Sequence, residues 1–216
     1  MLVLLTGCEG LLSTVDPAGP AARRIATLWW VMLSGAGLIF LLVLTLVALP
    51  FRRAHKAGER PRQERLWIIG LGLSFPMAVL AALLAYGLVV GESLFPRDGA
   101  DTLRVSAQAE RWRWTFTYDA APDIVTENVL HIPAGQPIDV AITTADVIHS
   151  FWVPRLAGKL DAIPGHTNVL RLEADSPGTY AGVSAEFSGA GYDDFTFEVI
   201  AHSPDDWAAF LQGETP

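Results

Sequence analysis

The stretch RWRWTFTY, Arg111 to Tyr118, alternates polar side chains with aromatic ones. Successive side chains of a β-strand point to opposite faces of its sheet, so this alternation places the aromatic residues together on one face. That face comprises Trp112, Trp114, Phe116 and Tyr118, and the polar face comprises Arg111, Arg113, Thr115 and Thr117. The stretch therefore predicts a β-strand with its aromatic side in a core.

Two further segments repeat this period, and turn-forming residues lie between them. The alternating apolar positions are Ile138, Val140 and Ile142 in one segment and Phe195, Phe197 and Val199 in the other. Glycine and proline interrupt the chain at Pro133 to Pro137, Pro164-Gly165 and Pro177-Gly178, which favours short strands joined by turns. Residues 97–202 are therefore predicted to form a β-sandwich.

The chain after this sandwich has the pattern of a helix start. Ser203 is a favourable N-cap, Pro204 suits the first helical position, and two acidic residues follow before Trp207 to Leu211. Residues 203–216 are therefore predicted to form a short terminal helix and a tail.

Two strongly apolar, uncharged runs of 25 residues precede the sandwich, at Ile25 to Leu49 and Leu66 to Val90. At about 1.5 Å per residue, each reaches across a hydrocarbon core of about 30 Å. We predict two transmembrane helices that form a hairpin over residues 25–90. Pro76 lies inside the second run and predicts a kink there.

Charge predicts the topology of this hairpin. Loop 50–65 carries six Lys and Arg against two Glu, so the positive-inside rule places it in the cytoplasm. The N-terminal segment 1–24 and the sandwich are then periplasmic, anchored to a bacterial inner membrane, although Arg23 and Arg24 oppose that assignment. From Arg97 onward, 18 Asp and Glu outnumber 7 Lys and Arg, and nothing suggests a nucleic-acid partner.

The N-terminal tetrapeptide Leu5-Thr6-Gly7-Cys8 is similar to the lipobox of bacterial lipoproteins, whose cysteine carries a diacylglycerol. We therefore expect a lipid on Cys8. The basic region expected of a signal peptide is missing before it. Either the start codon lies further upstream or the motif is a chance cysteine in a short apolar tail.

The segment from Asp146 to His202, which begins DVIHSFWVPRLAGKLDAIPG, resembles the copper-binding region of subunit II of the haem-copper respiratory oxidases. The resemblance implies a cupredoxin-like Greek-key sandwich. In that family a dinuclear copper centre, CuA, is bound by a His and, after 34 intervening residues, by a Cys-x3-Cys-x3-His-x2-Met run. The backbone carbonyl of a Glu between the two Cys is a further ligand. The same spacing counted from His149 gives Ser184, Glu186, Ser188, Tyr192 and Phe195.

Of the CuA side-chain ligands, His149 alone remains in this pattern. Two coppers need soft thiolates to bridge them, whereas a serine hydroxyl is a hard, neutral donor. Cys8 is the single cysteine and lies far upstream. We predict that this chain binds no CuA and that His149 is a hydrogen-bonded structural residue. The branch of the family that shows this loss is the ubiquinol oxidases of the cytochrome bo type.

Two carboxylates keep positions that have roles in the family. Glu64 stands three residues before Trp67, where the family's Glu marks the cytoplasmic mouth of a proton channel in subunit I; the alternative is a helix-capping charge. Glu186 occupies the position of a Glu that reaches a Mg²⁺ shared with subunit I. The alternative for Glu186 is an ion pair with a basic residue across that interface.

Trp112 matches the place where subunit II of cytochrome c oxidases receives an electron. Arg111 and Arg113 flank it here, and a cationic patch suits a basic cytochrome c poorly. Core and interface packing is therefore the simpler interpretation of Trp112, with an electron-entry remnant as the alternative.

The resemblance implies a non-redox subunit II of a proton-pumping terminal oxidase, with a ubiquinol oxidase that reduces O2 to water as the favoured type. Haems, CuB and the quinol site would lie in subunit I, and subunit III would be a further partner. Glu186 and the LDAIPG stretch, Leu160 to Gly165, look more like cytochrome c oxidases, so an oxidase fed by cytochrome c is an alternative. A stand-alone structural or assembly protein with a degenerate cupredoxin domain is an alternative of another class.

Overall fold

The computed structural model describes residues 8–52, 64–96 and 102–214. These form two units, one built from the chain up to Ala26 together with Leu94 onward, and one from Thr27–Ser93. Leu5 to Gly7 of the predicted lipobox and residues 53–63 of the predicted cytoplasmic loop lie outside the described residues.

Two apolar helices form most of the second unit. Helix α1 spans Pro20–Arg52, and the second helical span, Leu66–Glu92, consists of a π-helical segment, Leu66–Ser74, followed by α2, Phe75–Glu92. The mean hydropathy of their most apolar windows is 2.5 and 2.3, and both are long enough to cross a membrane. Pro76 lies just after the π-helical segment and has no N–H to donate to the preceding turn, so the departure from α-helical bonding lies immediately before the proline.

Within the described part of the chain, ten strands form two five-stranded sheets. The first sheet contains, in spatial order, β3 (Ala121–Glu127), β2 (Arg113–Tyr118), β1 (Leu103–Glu110), β5 (Ile138–Thr144) and β8 (Asn168–Leu172). The second contains β4 (Val129–Pro133), β10 (Thr196–His202), β9 (Gly178–Ser184), β6 (His149–Trp152) and β7 (Leu160–Ala162). β1 pairs parallel to β5 and β4 parallel to β10, and the other pairs are antiparallel. The β-sandwich predicted from the alternating segments is confirmed.

The core between the sheets is aromatic. Trp114, Phe116 and Tyr118 of β2 are buried as the alternation predicts. Trp112 is not part of that face: it lies in the turn between β1 and β2, and 38% of its surface is exposed. The prediction of a shared face for Trp112 was wrong because β2 begins one residue later, at Arg113.

Gly182 of β9 permits a close approach between two strands of the second sheet. It pairs with Phe197 of β10, and a Cβ atom at position 182 would lie 2.4 Å from the Phe197 ring. The missing side chain thus lets the ring lie flat across the neighbouring strand.

The segment before α1 and its first turns pack on the sandwich. The Ala18 amide donates to the Arg155 carbonyl at 2.7 Å, and the Ala18 carbonyl accepts from the Asp175 amide at 2.9 Å. Asp16 pairs with Arg155 at 2.9 Å, and Arg23 contacts both carboxylate oxygens of Asp175 at 2.8 and 2.9 Å. The N-terminal segment therefore belongs to the same unit as the strands.

The terminal helix, α3 (Pro204–Leu211), covers a histidine pair. Ser203 caps it as predicted, because its hydroxyl accepts a 3.3 Å hydrogen bond from the Asp206 amide. Nδ1 of His131 and Nε2 of His202 lie 2.7 Å apart, and Phe210 stacks on His131 with ring centroids 4.3 Å apart. Burial lowers the pKa of His202, and burial followed by repulsion from His202 lowers the pKa of His131 to about 4.

These pKa shifts predict a loss of stability in acid. From pH 6.5 down to about 4 the unfolded chain binds protons that folded His131 does not bind, so stability is full above this window and falls within it. Tyr118 and Asp206 are the titratable groups packed nearby, and the Asp206 carboxylate opposes the shift of His202. We expect the free energy of unfolding to fall by about 1–2 kcal/mol across this window. Denaturant titration monitored by tryptophan fluorescence measures it. His131→Gln should flatten this pH dependence, and the exposed-site control His166→Gln should not; an unchanged slope in His131→Gln would refute the assignment.

Candidate functional site

His149 is the centre of the site that the spacing singles out. It begins β6 and is fully buried. Its Nε2 lies 2.9 Å from Oδ1 of Asp146, while its Nδ1 has no hydrogen-bond partner within the described residues. The contact of Nε2 fits the hydrogen-bonded structural role predicted for His149. Nδ1 is buried and lacks a hydrogen-bond partner among the described residues.

Asp146 organises the polar side of this site. Its carboxylate accepts hydrogen bonds from the Val147 amide at 2.7 Å, the Thr144 hydroxyl at 3.0 Å and the Arg111 amide at 3.2 Å. Burial alone would raise the pKa of Asp146, but the bonds from His149 and these donors lower it to about 2. Asp146 is therefore a carboxylate at neutral pH and fixes the orientation of the His149 ring.

Of the two serines at the thiolate positions, Ser184 ends β9 and Ser188 lies in the loop that follows it. The Ser184 hydroxyl, at the end of β9, accepts a 3.3 Å hydrogen bond from the Ser150 amide, and the Ser184 amide donates to the Phe195 carbonyl at 2.9 Å. The Ser188 carbonyl accepts from Nε of Arg111 at 3.1 Å. The structure thus brings the sequence-predicted positions together and closes the loop with hydrogen bonds.

Aromatic rings occupy the imidazole and thioether positions. Phe195 is buried, and its ring centroid lies 5.2 Å from that of His149 and 5.8 Å from that of Trp114. Tyr192 is half-buried and contacts the exposed Phe187 ring at 5.2 Å. Edge and stacked ring contacts at these distances are favourable packing. Phe195 has no donor atom, and Tyr192 offers a hard phenol oxygen where the family has an imidazole nitrogen.

Trp112 closes the outer side of the site. Its ring packs edge-on against His149 and Phe195, with ring centroids 6.5 and 6.1 Å apart. Cβ atoms at Gly189 and Gly191 would lie 3.7 and 3.6 Å from the same ring, and both glycines have positive φ. These distances are ordinary van der Waals contacts, so the positive φ of both residues, and not a lack of space, favours glycine where the loop passes the indole.

Glu186 points to the surface beside a lysine. Its Oε2 lies 3.5 Å from Nζ of Lys159, and its Oε1 accepts a 3.2 Å bond from the Phe187 amide. Lys159 Nζ also lies 3.7 Å from Asp161, whose other neighbour is the Ser150 hydroxyl. The basic neighbour of Glu186 in this structure therefore comes from the same chain, whereas the ion-pair alternative expected one from a partner.

The remaining predicted residues lie elsewhere. Glu64 is exposed in the helical turn before Leu66 and belongs to the other unit. Cys8 is exposed, and its carbonyl accepts from the Ser13 hydroxyl at 2.6 Å.

Sequence reasoning missed Asp146, Arg111 and Lys159 as members of the site. The Asp-x-x-His spacing was a usable signal for Asp146, because a carboxylate that orients a histidine is a common arrangement. Arg111 and Lys159 are 77 and 27 residues from the groups they contact, and no local pattern marks such pairs.

Comparison with known proteins agrees with this geometry. The family described as cytochrome c oxidase subunit II, periplasmic domain, matches residues 120–201. A quinol oxidase subunit 2 of Bacillus cereus is 32% identical over 235 residues, covering 100% of this chain and 78% of that protein. The chain belongs to the subunit II family of the haem-copper terminal oxidases.

Other relatives are named either as quinol oxidase subunits or as cytochrome c oxidase subunits. The ubiquinol oxidase subunit 2 of Acetobacter aceti is 30% identical, with 97% of this chain and 71% of that protein covered. The cytochrome c oxidase subunit 2 of Alkalihalophilus pseudofirmus is 29% identical, and the chain spans 66% of its length. The crystal structure of the periplasmic domain of subunit II from Bradyrhizobium japonicum superposes with a TM-score of 0.50 at 25% identity, covering 54% of this chain and 94% of that domain. The cupredoxin-like fold implied by the resemblance is confirmed.

The donor set does not fit CuA. One imidazole nitrogen, Nδ1 of His149, is available, and the positions around it carry two hydroxyls and two aromatic rings. Within residues 8–52, 64–96 and 102–214, no three His, Cys, Asp or Glu side chains are grouped so that they could hold a metal ion.

The same geometry predicts that copper binding can be rebuilt. The combined variant Ser184→Cys, Ser188→Cys, Tyr192→His and Phe195→Met should bind copper, because Nδ1 of His149 is unpartnered and the loop spacing is retained. Near-infrared absorption and a mixed-valence electron paramagnetic resonance signal of the full chain should report it.

The parent chain given the same copper is the first control and should give neither signal. Adding His149→Ala to the rebuilt variant is the second, and it should abolish the mixed-valence signal. Signals in the parent chain would contradict the argument from the donor set.

Proposed function

We propose that this protein is a CuA-less subunit II of a proton-pumping ubiquinol oxidase that reduces O2 to water. The observation that carries the proposal is the pair of serines at the thiolate positions, Ser184 and Ser188, beside a His149 whose Nδ1 has no partner. A quinol delivers electrons from within the membrane, so the periplasmic domain has no need of a metal that receives them. The names of the relatives from Bacillus cereus and Acetobacter aceti support this proposal.

A cytochrome c oxidase-type complex without CuA is the second candidate. The relative from Alkalihalophilus pseudofirmus is named a cytochrome c oxidase subunit. Glu186 and the Leu160 to Gly165 stretch also look more like that branch. A stand-alone assembly role is disfavoured, because these oxidase subunits match 97–100% of this chain.

In the proposed complex this chain has structural and proton-handling roles. Haems, CuB and the quinol site belong to subunit I, with subunit III as a further partner. The basic loop 50–65 lies in the cytoplasm and the sandwich in the periplasm. Cys8 is exposed, as a lipid-bearing cysteine must be, and is the proposed site of a diacylglycerol.

Glu64 is the proposed cytoplasmic proton entry. It is exposed directly before the second apolar span, so its carboxylate can exchange protons with water and pass them to subunit I. Glu186 is the proposed ligand that this chain offers to a Mg²⁺ shared with subunit I. A single hard oxygen donor suits that ion, although the Lys159 ammonium competes for the same carboxylate at 3.5 Å.

The electron donor is tested by oxygen uptake of the purified complex. With ubiquinol we expect sustained turnover, and with reduced cytochrome c we expect none above the rate without enzyme. Turnover with cytochrome c and none with quinol would select the second candidate.

Glu64 is tested in the same oxygen-uptake assay. Glu64→Gln should lower turnover at least several-fold while haem content is unchanged, and Glu9→Gln is the control for loss of an exposed carboxylate. Unchanged turnover in Glu64→Gln would leave the helix-capping role.

Mn²⁺ grown into the complex tests the shared ion. A six-coordinate Mn²⁺ resonance is expected, and Glu186→Gln should weaken or abolish it because a neutral amide is a poorer ligand for a hard cation. Lys159→Met is the matched control and should keep or strengthen the resonance, since it removes the competing ammonium. If no Mn²⁺ resonance appears in the parent complex, Glu186 acts through its ion pair with Lys159.

A further inference from the structure

A groove lies between the two apolar helices. One wall is the Ile39–Val47 stretch of α1, and the other is formed by Trp67, Leu71, Gly72 and Pro76 of the second span. Its volume is about 410 Å³, within the range of about 300–1,000 Å³ typical of ligand sites. The lining side chains carry no charge.

The π-helical segment gives the groove its wall. A π-helix of nine residues is unusual, since most are single turns inside α-helices and many of those lie at functional sites. Gly72 lies in this wall, where a Cβ atom would approach the Trp67 carbonyl of the same span at 3.2 Å. The groove is therefore built into the second span by its sequence.

The length of the groove indicates what fits in it. From Ile39 to Val47 a helix rises about 12 Å, which is less than the roughly 15 Å of one leaflet of a hydrocarbon core of about 30 Å. A partner's transmembrane helix would cross both leaflets and would not end at this depth. An acyl chain occupies one leaflet and matches this extent.

Charge indicates which lipid. The groove begins at Trp67, two residues after the exposed Arg65, and the loop 50–65 has six Lys and Arg against two Glu. Basic sites between helices at the cytoplasmic surface favour anionic headgroups. The neighbouring Glu64 opposes this attraction with a single charge.

We propose that the groove binds one acyl chain of an anionic phospholipid, with its phosphate at Arg65. The proposal rests on the cytoplasmic position proposed for loop 50–65, and it does not depend on the electron donor. The bound lipid would fill the space that the π-helical segment opens and would hold the helix pair at a fixed separation.

The test uses the purified oxidase complex in nanodiscs of phosphatidylcholine with a small fraction of spin-labelled phosphatidylglycerol of the same chain length. Electron paramagnetic resonance then counts the immobilised label. Val43→Phe fills the groove and should remove one immobilised lipid per complex. Leu44→Phe is the matched control, since Leu44 is 48% exposed against 50% for Val43 but does not line the groove. It should retain the lipid.

The headgroup is tested separately, with a variant at an exposed position. Arg65→Gln should weaken phosphatidylglycerol binding about fivefold and leave labelled phosphatidylcholine unaffected. Equal lipid counts in Val43→Phe and Leu44→Phe would overturn the proposal. Displacement of the label by a long-chain quinone would overturn it as well, by assigning the groove to an isoprenoid tail. If the parent complex binds the lipid but does not turn over with quinol, the proposed electron donor is refuted and the proposed lipid site stands.

Discussion

The Trp114 indole joins the two sheets, and the rest of the sandwich is arranged around it. From β2 it contacts Phe151 of β6 at 5.4 Å, Phe197 of β10 at 5.7 Å and Phe195 at 5.8 Å. Truncation of such a buried tryptophan typically costs about 3–5 kcal/mol. Phe195 belongs both to this core and to the loop at the position of a thioether ligand. The same side chain adds to the packing between the sheets and contacts His149, so that aromatic contacts tie the loop to β6.

The polar side of the site depends on a different contact, the one between Asp146 and His149. A buried histidine with one unpartnered nitrogen costs about 1–3 kcal/mol, and the bond from Nε2 to the Asp146 carboxylate satisfies the other nitrogen. The Asp146 carboxylate also accepts a hydrogen bond from the Arg111 amide, and Nε of Arg111 donates to the Ser188 carbonyl. His149, Asp146 and Arg111 thus connect β6, the β1–β2 turn and the loop through hydrogen bonds.

The sequence predicted those features whose cause is local. Period-two alternation placed Trp114, Phe116 and Tyr118 in the core, and run length identified both apolar helices. Alternation failed at Trp112, because a turn replaces the strand there and alternation does not define strand ends. Of the positions counted from His149, Ser184 and Phe195 share a backbone hydrogen bond, and the Phe195 ring contacts His149. The Asp-x-x-His spacing also marked Asp146, whereas no local pattern marked Lys159. Arg23 pairs with Asp175, which is 152 residues away, and no local pattern marks such a pair.

The surroundings of Trp112 bear on how electrons reach the proposed complex. The exposed part of its ring lies beside the Arg111 guanidinium, 6.0 Å from the ring centroid, and Arg113 pairs with Glu110 at 2.8 Å. Arg113 also lies 3.5 Å from Glu127, and Arg111 lies 3.8 Å from Asp146, so carboxylates offset both arginines. The cationic patch expected from the sequence is therefore neutralised in the structure, and charge at Trp112 does not decide between the two electron donors. On its inner side the indole contacts His149 and Phe195, neither of which is a redox group at physiological potentials. An electron that arrived at Trp112 would have no nearby acceptor among the described residues of this chain. A donor dissolved in the membrane avoids this surface altogether, which is the physical reason to favour quinol over cytochrome c.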